Sequence, residues 1–193
     1  MARTKEFDAT EALQKALMTF IEKGYAATTL CDLVQATGVN RQSLYNEFGD
    51  KRALYLKALE AYCGRSLEDA RQILTLEQPA RMVLEKLKNK LKELCRCPTA
   101  SKGCLVVTTL VGATQDDPEA LKVVHAMMAE KHRLLAAVIA RGQKAGELPT
   151  KHSPDAVAGS LHAAVTGLAV AARGGARCED RQAVLDVAFE GLV

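Results

Sequence analysis

Among the polar side chains at positions 40–48, four are the candidates for hydrogen bonds to a partner molecule. They are Arg41, Gln42, Ser43 and Asn46. Leu44 and Phe48 lie four residues apart, which predicts a helix with these two side chains facing inward and the four polar ones facing outward. Arg pairs with guanine O6 and N7, and Gln or Asn pairs with adenine N6 and N7. The outward face therefore has the chemistry needed to read base edges in a DNA major groove.

A second predicted helix comes just before this stretch and positions it. Thr28 or Thr29 can cap that helix, and Asp32, three residues beyond Thr29, completes a loose capping box. Gly38 follows, where a left-handed turn costs glycine little. Asn40 is a strong cap for the outward-facing helix. The two helices and their turn are typical of a helix-turn-helix.

A third helix start follows at once. Gly49 ends the outward-facing helix, and Asp50 begins another that has Lys51 in its first turn. A phosphate there can bond both the amine and unpaired backbone N–H groups, so we predict a clamp on the DNA backbone. The complete set of predicted DNA-binding residues is Thr28, Thr29, Asn40, Arg41, Gln42, Ser43, Tyr45, Asn46 and Lys51.

The same stretch resembles the DNA-binding domain of the TetR family of bacterial transcriptional regulators. The matching features are Gly24-Tyr25 before Thr28-Thr29, Ala36-x-Gly38-Val39 at the turn, Leu44-Tyr45-x-x-Phe48 and Lys51-x-x-Leu54. Leu33-Val34 is bulkier than the Ile-Ala usual in the family, and Asn40-Arg41-Gln42 stands where a Ser-x-Gly type of sequence is commoner. The second departure leaves the operator sequence open. The resemblance covers roughly the first third of the chain.

The resemblance implies an all-α fold of about nine helices with two domains. Residues 1–52 would form the helix-turn-helix DNA-binding domain, and residues 53–193 an effector-binding and dimerisation domain. It also implies a homodimeric repressor that a small-molecule effector releases from a double-stranded DNA operator. A dimer is expected on separate grounds, because one short recognition helix reads few base pairs. Two copies about 34–36 Å apart would read a near-palindromic operator.

Composition alone does not identify the function. The chain has 193 residues, enough for one long domain or two small ones. Trp is absent and aromatic residues make up 4%, so aliphatic and Ala-rich helices must supply the core. The net charge is +3, and residues 1–60 hold eight Lys or Arg against eight Asp or Glu. DNA binding is therefore predicted from the placement of charge, not from its sum.

Other classes of protein fit the sequence less well. Residues 1–5 form a short basic arm, and the next helix is amphipathic, unlike a secretion signal. Ser160, His162 and Thr166 interrupt the apolar stretch at 154–173, which leaves it too weakly hydrophobic for a membrane span. We therefore predict a cytoplasmic, nucleoid-associated protein without a membrane partner.

Enzyme and metal-site motifs are absent from the sequence. It has no G-x-G-x-x-G, G-x-S-x-G, H-E-x-x-H or phosphate loop, and its six cysteines fit no zinc-finger spacing. We predict no enzymatic activity, no cofactor and no metal site. An α-helical protein-interaction module, whose helix-turn-helix contacts protein instead of DNA, is the alternative from another class.

The last two predicted helices carry the expected dimer interface. Their apolar residues recur at helical spacing, and pairing with a second copy would make a four-helix bundle, as in the family that the chain resembles. The predicted interface residues are Leu161, Val165, Leu168, Val184, Leu185 and Ala188. The alternative is that both apolar faces belong to the core of a single protomer.

Scattered polar side chains on the predicted sixth, seventh and eighth helices suggest a mostly apolar effector pocket with a few orienting groups. The candidates are Thr108, His125, Met127, Met128, His162 and Thr166. Each of them could instead be a core residue with satisfied hydrogen bonds.

A thiol-based alternative for the sensor centres on Cys104. It lies beside Lys102 in a predicted first helical turn, where positive charge favours a thiolate. Cys95 and Cys97 are near in sequence and could resolve an oxidised Cys104 as a disulfide. This hypothesis describes a redox- or electrophile-sensing repressor, and its alternative is a buried, unreactive sulfur.

Overall fold

The computed structural model describes residues 7–97, 102–112 and 117–192, in which the regular secondary structure is helical. The helices are α1 (Ala9–Ala27), α2 (Leu30–Thr37), α3 (Arg41–Phe48), α4 (Lys51–Leu74), α5 (Ala80–Arg96), α6 (Leu105–Gly112), α7 (Pro118–Lys144), α8 (Pro154–Arg173) and α9 (Cys178–Ala188). The predicted basic arm at residues 1–5 and the predicted end of the sixth helix at Gln115 lie outside the described residues. The predicted all-α class is confirmed.

Helix α1 ends differently from the prediction. The sequence predicts that it stops at Gly24, but Gly24 is a kink with φ 75° and ψ 165°, after which the helix runs on to Ala27. Glycine adopts this conformation because it has no Cβ. The kink sets the direction of Tyr25, which lies directly after it.

Pro98 in the sequence predicts a loop at 95–102, and the helices on both sides of that loop have other boundaries in the structure. Helix α5 continues through Cys95 to Arg96, because Cys95 packs against the core and its carbonyl accepts a hydrogen bond from Arg181 Nη2 at 3.0 Å. Helix α6 begins at Leu105, later than the predicted start at Gly103, whose φ of 105° is incompatible with a right-handed helix.

The N-terminal core joins α1–α4 to α6 and the first half of α7. Phe20, Leu44 and Leu54 are completely buried together with Leu105 and Val124 from the later helices. Each such side chain stabilises the fold by about 1.5–3 kcal/mol. The later helices are therefore packed into the base of the helix-turn-helix. The division at residues 52 and 53 falls in the first turn of α4, which runs through it unbroken, and remains a prediction.

The C-terminal core joins the end of α4 to α5, the second half of α7, α8 and α9. Leu84, Ile139 and Phe189 are among its completely buried large side chains. Helices α5 and α7 approach closely at Gly142, where an added Cβ would lie 2.6 Å from Ala80 Cβ. Helix α4 contributes to both cores, so it connects the DNA-binding end of the molecule to the far end.

Three of the predicted dimer residues are buried inside the protomer, namely Leu161, Leu168 and Leu185. Their burial corrects their assignment as interface contacts. Val165 and Ala188 are partly buried against the same core, and their place in an interface stays a prediction. The larger aliphatic side chains bury more apolar area in the protomer's own core than a stripe of alanines would. Val184 is 46% exposed and stays available for an interface.

The opposite side of α8 carries small residues at intervals of four and three. The exposed or partly exposed members of this small-residue face are Ala156, Ser160, Ala163, Gly167 and Val170. Among the described helices α8 is the one with the length and composition of a membrane span, with a mean hydropathy of 1.3 over a window that is 22% buried.

Candidate nucleic-acid interface

Local hydrogen bonds build the turn between α2 and α3. Thr29 Oγ1 accepts from the Asp32 N–H at 3.1 Å and Asp32 Oδ2 accepts from the Thr29 N–H at 2.9 Å, which is a complete capping box. Gly38 is left-handed with φ 71°, and Asn40 Oδ1 accepts from the Ser43 N–H at 2.9 Å. The predicted helix-turn-helix, including its caps, is therefore confirmed.

The outer face of α3 presents the predicted polar set. Leu44 and Phe48 are 0% and 5% exposed and hold the helix against the N-terminal core. Arg41, Gln42 and Asn46 are exposed. Since the side chains that could read bases point away from the core, the geometry fits insertion of α3 into a groove.

Neighbouring turns of α3 form two side-chain pairs. Gln42 Nε2 donates to Asn46 Oδ1 at 3.0 Å, and the Arg41 guanidinium lies 5.7 Å from the centre of the Tyr45 ring. Each pair restricts side chains that would otherwise lose rotamer freedom on binding. Ser43 is partly buried on the same helix.

Tyr25, which was not predicted as a site residue, orients Lys51. The Lys51 ammonium lies 4.5 Å from the centre of the Tyr25 ring, within cation–π range. The Tyr25 ring in turn lies 4.8 Å from that of Tyr55 and 6.4 Å from that of Phe20. Burial, followed by the charge of Asp50, raises the pKa of Tyr25 above its usual value. Lys51, the predicted phosphate contact, therefore packs on the ring of Tyr25, which itself packs on two further aromatic rings.

Thr28 is a correction to the predicted DNA-binding set. It is 1% exposed, and its hydroxyl donates to the Gly24 carbonyl at 2.6 Å, so its side chain closes the kink of α1. Thr29 is exposed, although its hydroxyl is engaged in the capping box. The sequence did not distinguish between the two threonines because both fit a cap position.

Arg52, next to Lys51, ties α4 to α7. Its Nε and Nη2 donate to the two Asp117 carboxylate oxygens at 3.0 and 2.9 Å, and Nη2 also reaches Glu119 Oε2 at 2.8 Å. The Arg52 hydrogen bonds lower the pKa of Asp117 below its usual value. Arg52 is therefore committed to an internal tie next to the phosphate clamp. No local pattern could have revealed a partner 65 residues away.

Arg173, the last residue of α8, ties that helix to α1. Its Nη1 donates to the Ile21 carbonyl at 3.0 Å and to the Lys102 carbonyl at 3.4 Å, and its Nη2 donates to the Glu22 carbonyl at 3.2 Å. The kink at Gly24 interrupts the helical pairing nearby, and a cation is a favourable partner for such carbonyls. The guanidinium thus links the C-terminal part of the chain to the helix that braces the helix-turn-helix.

The sequence matches two family models. "Bacterial regulatory proteins, tetR family" matches residues 12–58, and "Tetracyclin repressor-like, C-terminal domain" matches residues 83–186. The HTH-type transcriptional repressor ComR of Escherichia coli (strain K12) is 33% identical over 183 residues, which cover 92% of this chain and 85% of ComR. The HTH-type transcriptional repressor BdcR of the same strain is 31% identical over 118 residues, which cover 61% of this chain and 58% of BdcR. The chain belongs to the TetR family.

The fold also matches a TetR-family structure bound to DNA. A cysteine mutant of the regulator CifR, complexed with 26-bp double-strand operator DNA, gives a TM-score of 0.85 at 27% identity. The match covers 99% of this chain and 100% of that chain. This TetR-family protein is accordingly a DNA-binding transcriptional regulator, built from an N-terminal helix-turn-helix and a C-terminal helical part.

The predicted effector residues of this TetR-family chain lie in different environments. His125 is exposed on α7, which contradicts its placement in an internal pocket. Met127 is 6% exposed inside the N-terminal core, and Met128 packs against that core. His125 and Met127 lie two positions apart on α7, and the helical period places them on different faces, one exposed and one buried.

His162 and Thr166 lie one turn apart on α8, and both are partly buried. The His162 ring centre is 5.9 Å from that of His132. Burial, then the charges of His132 and Lys131, lower the pKa of His162 below its usual value. His162 therefore faces α7, where a cationic side chain lies near it.

An open cleft lies where α1, α6 and α8 meet, with a volume of about 570 Å³. Thr108 is the one predicted effector residue in its lining, together with residues such as Tyr25, Val111 and Val170. Thr108 Oγ1 donates to the Leu105 carbonyl at 2.9 Å, so its hydroxyl is satisfied within α6. The cleft adjoins both the base of the helix-turn-helix and the small-residue face of α8.

The cysteines of this TetR-family chain separate into two places. Cys104 packs against the N-terminal core, whereas Cys95 packs against the C-terminal core. Burial raises the pKa of the Cys95 thiol, while the nearby charge of Arg181 lowers it and Cys178 raises it. Cys97 is the exposed C-cap residue of α5. This placement gives no support to Cys95 as a resolving partner of Cys104. Within the described ranges, no group of three or more His, Cys, Asp or Glu side chains could hold a metal ion.

Lys102 is also placed differently from the prediction. Its ammonium forms an ion pair with the Glu22 carboxylate, and this ion pair links α1 to the segment just before α6. The Cys104 sulfur instead accepts a hydrogen bond from the Tyr62 hydroxyl at 3.4 Å. Tyr62 and Lys131, the two groups that define this environment, were missed because they lie on α4 and α7, far away in sequence.

Proposed function

We propose that the chain is a homodimeric repressor that binds a near-palindromic operator and leaves it when a small-molecule effector binds the C-terminal part. The observation that carries the proposal is the outward projection of the α3 polar set next to the Lys51 clamp. The names of ComR and BdcR as repressors, and of the CifR complex with operator DNA, support it. Such a protein would act in the cytoplasm, at the nucleoid.

In this proposal, Arg41, Gln42 and Asn46 contact base edges. Arg41 suits guanine, whereas the linked amides of Gln42 and Asn46 suit adenine. Lys51 contacts a phosphate, which positions the protein without reading sequence.

Further phosphate contacts come from residues flanking α3. Ser43 and Tyr45 lie partly exposed on the helix itself. Thr29 and Asn40 are exposed at the two helix caps, where backbone N–H groups also face outward. These residues would hold the register of α3 in the groove.

The small-residue face of α8, extended by Val184 and Val187 of α9, forms the proposed dimer interface. Val170, Val184 and Val187 are 52%, 46% and 70% exposed, which is unusual for valine on a protomer without a partner. Alanine, serine and glycine allow two helices to approach closely, and a twofold axis would pair the face with itself. The same pairing would cover the exposed apolar face of α8, which accounts for that face without a membrane.

Helix α4 is the proposed connection between effector and DNA. It begins at the Lys51 clamp and contributes to both cores. An effector that favours one position of α4 would change the separation of the two recognition helices. His162, Thr166, Met128 and Thr108 remain candidate contacts for that ligand.

A gel shift on DNA flanking the protein's own gene tests the proposal. Arg41→Ala should lose about 1–3 kcal/mol at one base pair, while Lys51→Ala should weaken all sequences alike and lower the salt slope by about one. Lys144→Ala, at the far end of α7, removes a similar charge and should leave both quantities unchanged. If Arg41→Ala kept the full sequence preference, Arg41 would not read a base; if the wild type shifted no DNA fragment at all, a protein-interaction module would be the better interpretation.

A further inference from the structure

The cleft where α1, α6 and α8 meet has an apolar wall that is open to solvent. Val111 of α6 and Val170 of α8 are 79% and 52% exposed, and Ala26 and Ala27 at the end of α1 are exposed as well. A volume of about 570 Å³ is within the range of pockets that hold small organic molecules. Exposed apolar side chains gathered around such a cleft mark it as a binding site.

Two cationic side chains also line the cleft, and they differ in their partners. The Lys23 ammonium is paired with Asp32 Oδ1 at 2.6 Å. Within the described part of the chain, the hydrogen-bond partners of Arg173 are three main-chain carbonyls, at 3.0, 3.2 and 3.4 Å. A guanidinium can bind a carboxylate through two parallel hydrogen bonds between opposite charges, which no single carbonyl offers. Arg173 is therefore the lining cation best suited to an anion that enters the cleft.

An aliphatic wall beside a guanidinium matches one class of small molecule, a carboxylate on an aliphatic chain. Apart from Tyr25, the apolar lining consists of valine, alanine and glycine. We propose that the cleft binds small aliphatic carboxylates, with the carboxylate on Arg173 and the chain against Val111 and Ala27, and that this binding is the effector signal that releases DNA. The inference rests on the proposed repressor function and names the place and the chemical class of its effector.

A bound carboxylate would compete with α1 for the guanidinium. Arg173 Nη1 donates to the Ile21 carbonyl and Nη2 to the Glu22 carbonyl, just before the kink at Gly24. A guanidinium that turns to the carboxylate releases these two carbonyls, and the aliphatic chain occupies the space between α1 and α6. The end of α1 would then lose its link to α8.

The Tyr25 ring would carry this change to the phosphate contact. Tyr25 follows the kink and lines the cleft, and the Lys51 ammonium lies 4.5 Å from its ring centre. The same ring is 4.8 Å from that of Tyr55 on α4. A shift in the last turn of α1 would therefore move Lys51 and the first turns of α4 together, which changes how the protein meets the DNA backbone.

The first test is isothermal titration calorimetry of the full chain with octanoate, without DNA. Acetate, which lacks the chain, and octanamide, which lacks the charge, should each bind about tenfold more weakly or worse. Arg173→Met should lose octanoate affinity by about tenfold or more, and so should Val111→Asp, whose exposed position lets the variant fold. Arg177→Met and Met82→Asp make the same changes at exposed positions outside the cleft and should bind like wild type.

The second test adds the operator fragment. Saturating octanoate should lower the operator affinity of the wild type by about tenfold or more, and octanamide at the same concentration should change it little. In Arg173→Met and Val111→Asp, octanoate should leave the remaining operator affinity nearly unchanged.

Three results would overturn the inference. If the wild type did not bind octanoate, or if either cleft variant bound it with wild-type affinity, the site would be wrong. If octanoate bound at the cleft and left operator affinity unchanged, its role as effector would be wrong. The failure of the proposed function is a separate outcome, because it would appear as absent operator binding before any octanoate is added. Calorimetry tests the cleft in that case too.

Discussion

The helix-turn-helix and the middle of α4 are held together by different kinds of contact. In the helix-turn-helix a typical polar contact is local, such as Asn40 with Ser43, three residues apart. In the middle of α4 a typical contact is distant, such as Ser66 with Lys131, 65 residues apart. Local contacts make one element rigid, whereas distant contacts depend on the positions of two elements. We therefore expect the DNA-reading surface to behave as a fixed unit, and any effector-driven shift to occur around α4.

The largest expected effects on stability come from substitutions in the two hydrophobic cores. Leu44→Ala and Leu84→Ala each delete a completely buried side chain and should lower the free energy of unfolding by about 2–5 kcal/mol. Since α4 belongs to both cores, chemical denaturation should show one shared transition for each variant. Operator affinity should fall only in Leu44→Ala, which anchors α3. Two separate transitions would show that the regions fold independently.

A pair of helix caps offers a smaller, matched test. Asn40 caps α3 and Ser153 caps α8 through the same side-chain hydrogen bond, at 2.9 and 3.2 Å. Each alanine substitution should cost about 1 kcal/mol of stability by thermal unfolding. Only Asn40→Ala should also weaken operator binding, because it loosens the end of the helix that enters the groove. Equal losses of affinity in both variants would contradict a rigid, separate reading surface.

The Arg173 tie should matter more for DNA binding than for stability. Arg173 is exposed, so Arg173→Met should change the free energy of unfolding by no more than about 0.5 kcal/mol. Its three carbonyl contacts link α8 to α1, and their loss should reduce operator affinity measured by fluorescence anisotropy. Arg177→Met, which removes a local pair with Asp180, is the control. An unchanged affinity in Arg173→Met would show that the tie transmits nothing.

The smallest expected effect is a pH dependence at His162. Its pKa is lowered from 6.5 in the folded protein, so as pH falls below about 6.5 the unfolded chain binds a proton that the folded chain does not. Stability from this source is present above that pH and is lost as pH falls toward the lower folded-state pKa. As the pH falls through that range, the melting temperature of His162→Gln should therefore decrease less steeply than that of the wild type. An unchanged pH dependence in His162→Gln would contradict this assignment.

The sequence predicted what short-range chemistry determines. The Thr29 capping box, the left-handed Gly38 and the Asn40 cap all depend on residues within three positions of each other, so their types and spacing were sufficient. The inward pair Leu44 and Phe48 followed from the helical period for the same reason.

The rest depended on packing between distant helices. Leu161 and Ala163 both lie on α8, and the sequence predicts the leucine at the dimer interface because it recurs at helical spacing with Val165 and Leu168. In the structure the leucine is buried in the protomer's core and the alanine is exposed. Which of the two is buried depends on the positions of α5 and α9. The Tyr62 contact with Cys104 was equally hidden, since neither residue has a local signal for the other.

The chain has no tryptophan and four tyrosines, and this arrangement supplies an optical reporter without any label. Tyr45 lies on the recognition helix and Tyr25 beneath the Lys51 ammonium, while Tyr55 touches Tyr25 and Tyr62 meets the Cys104 sulfur. Tyrosine emission from the native protein therefore originates along the path between the groove and the middle of α4. Titrating unlabelled operator while recording that emission would report changes at both ends of this path in one experiment.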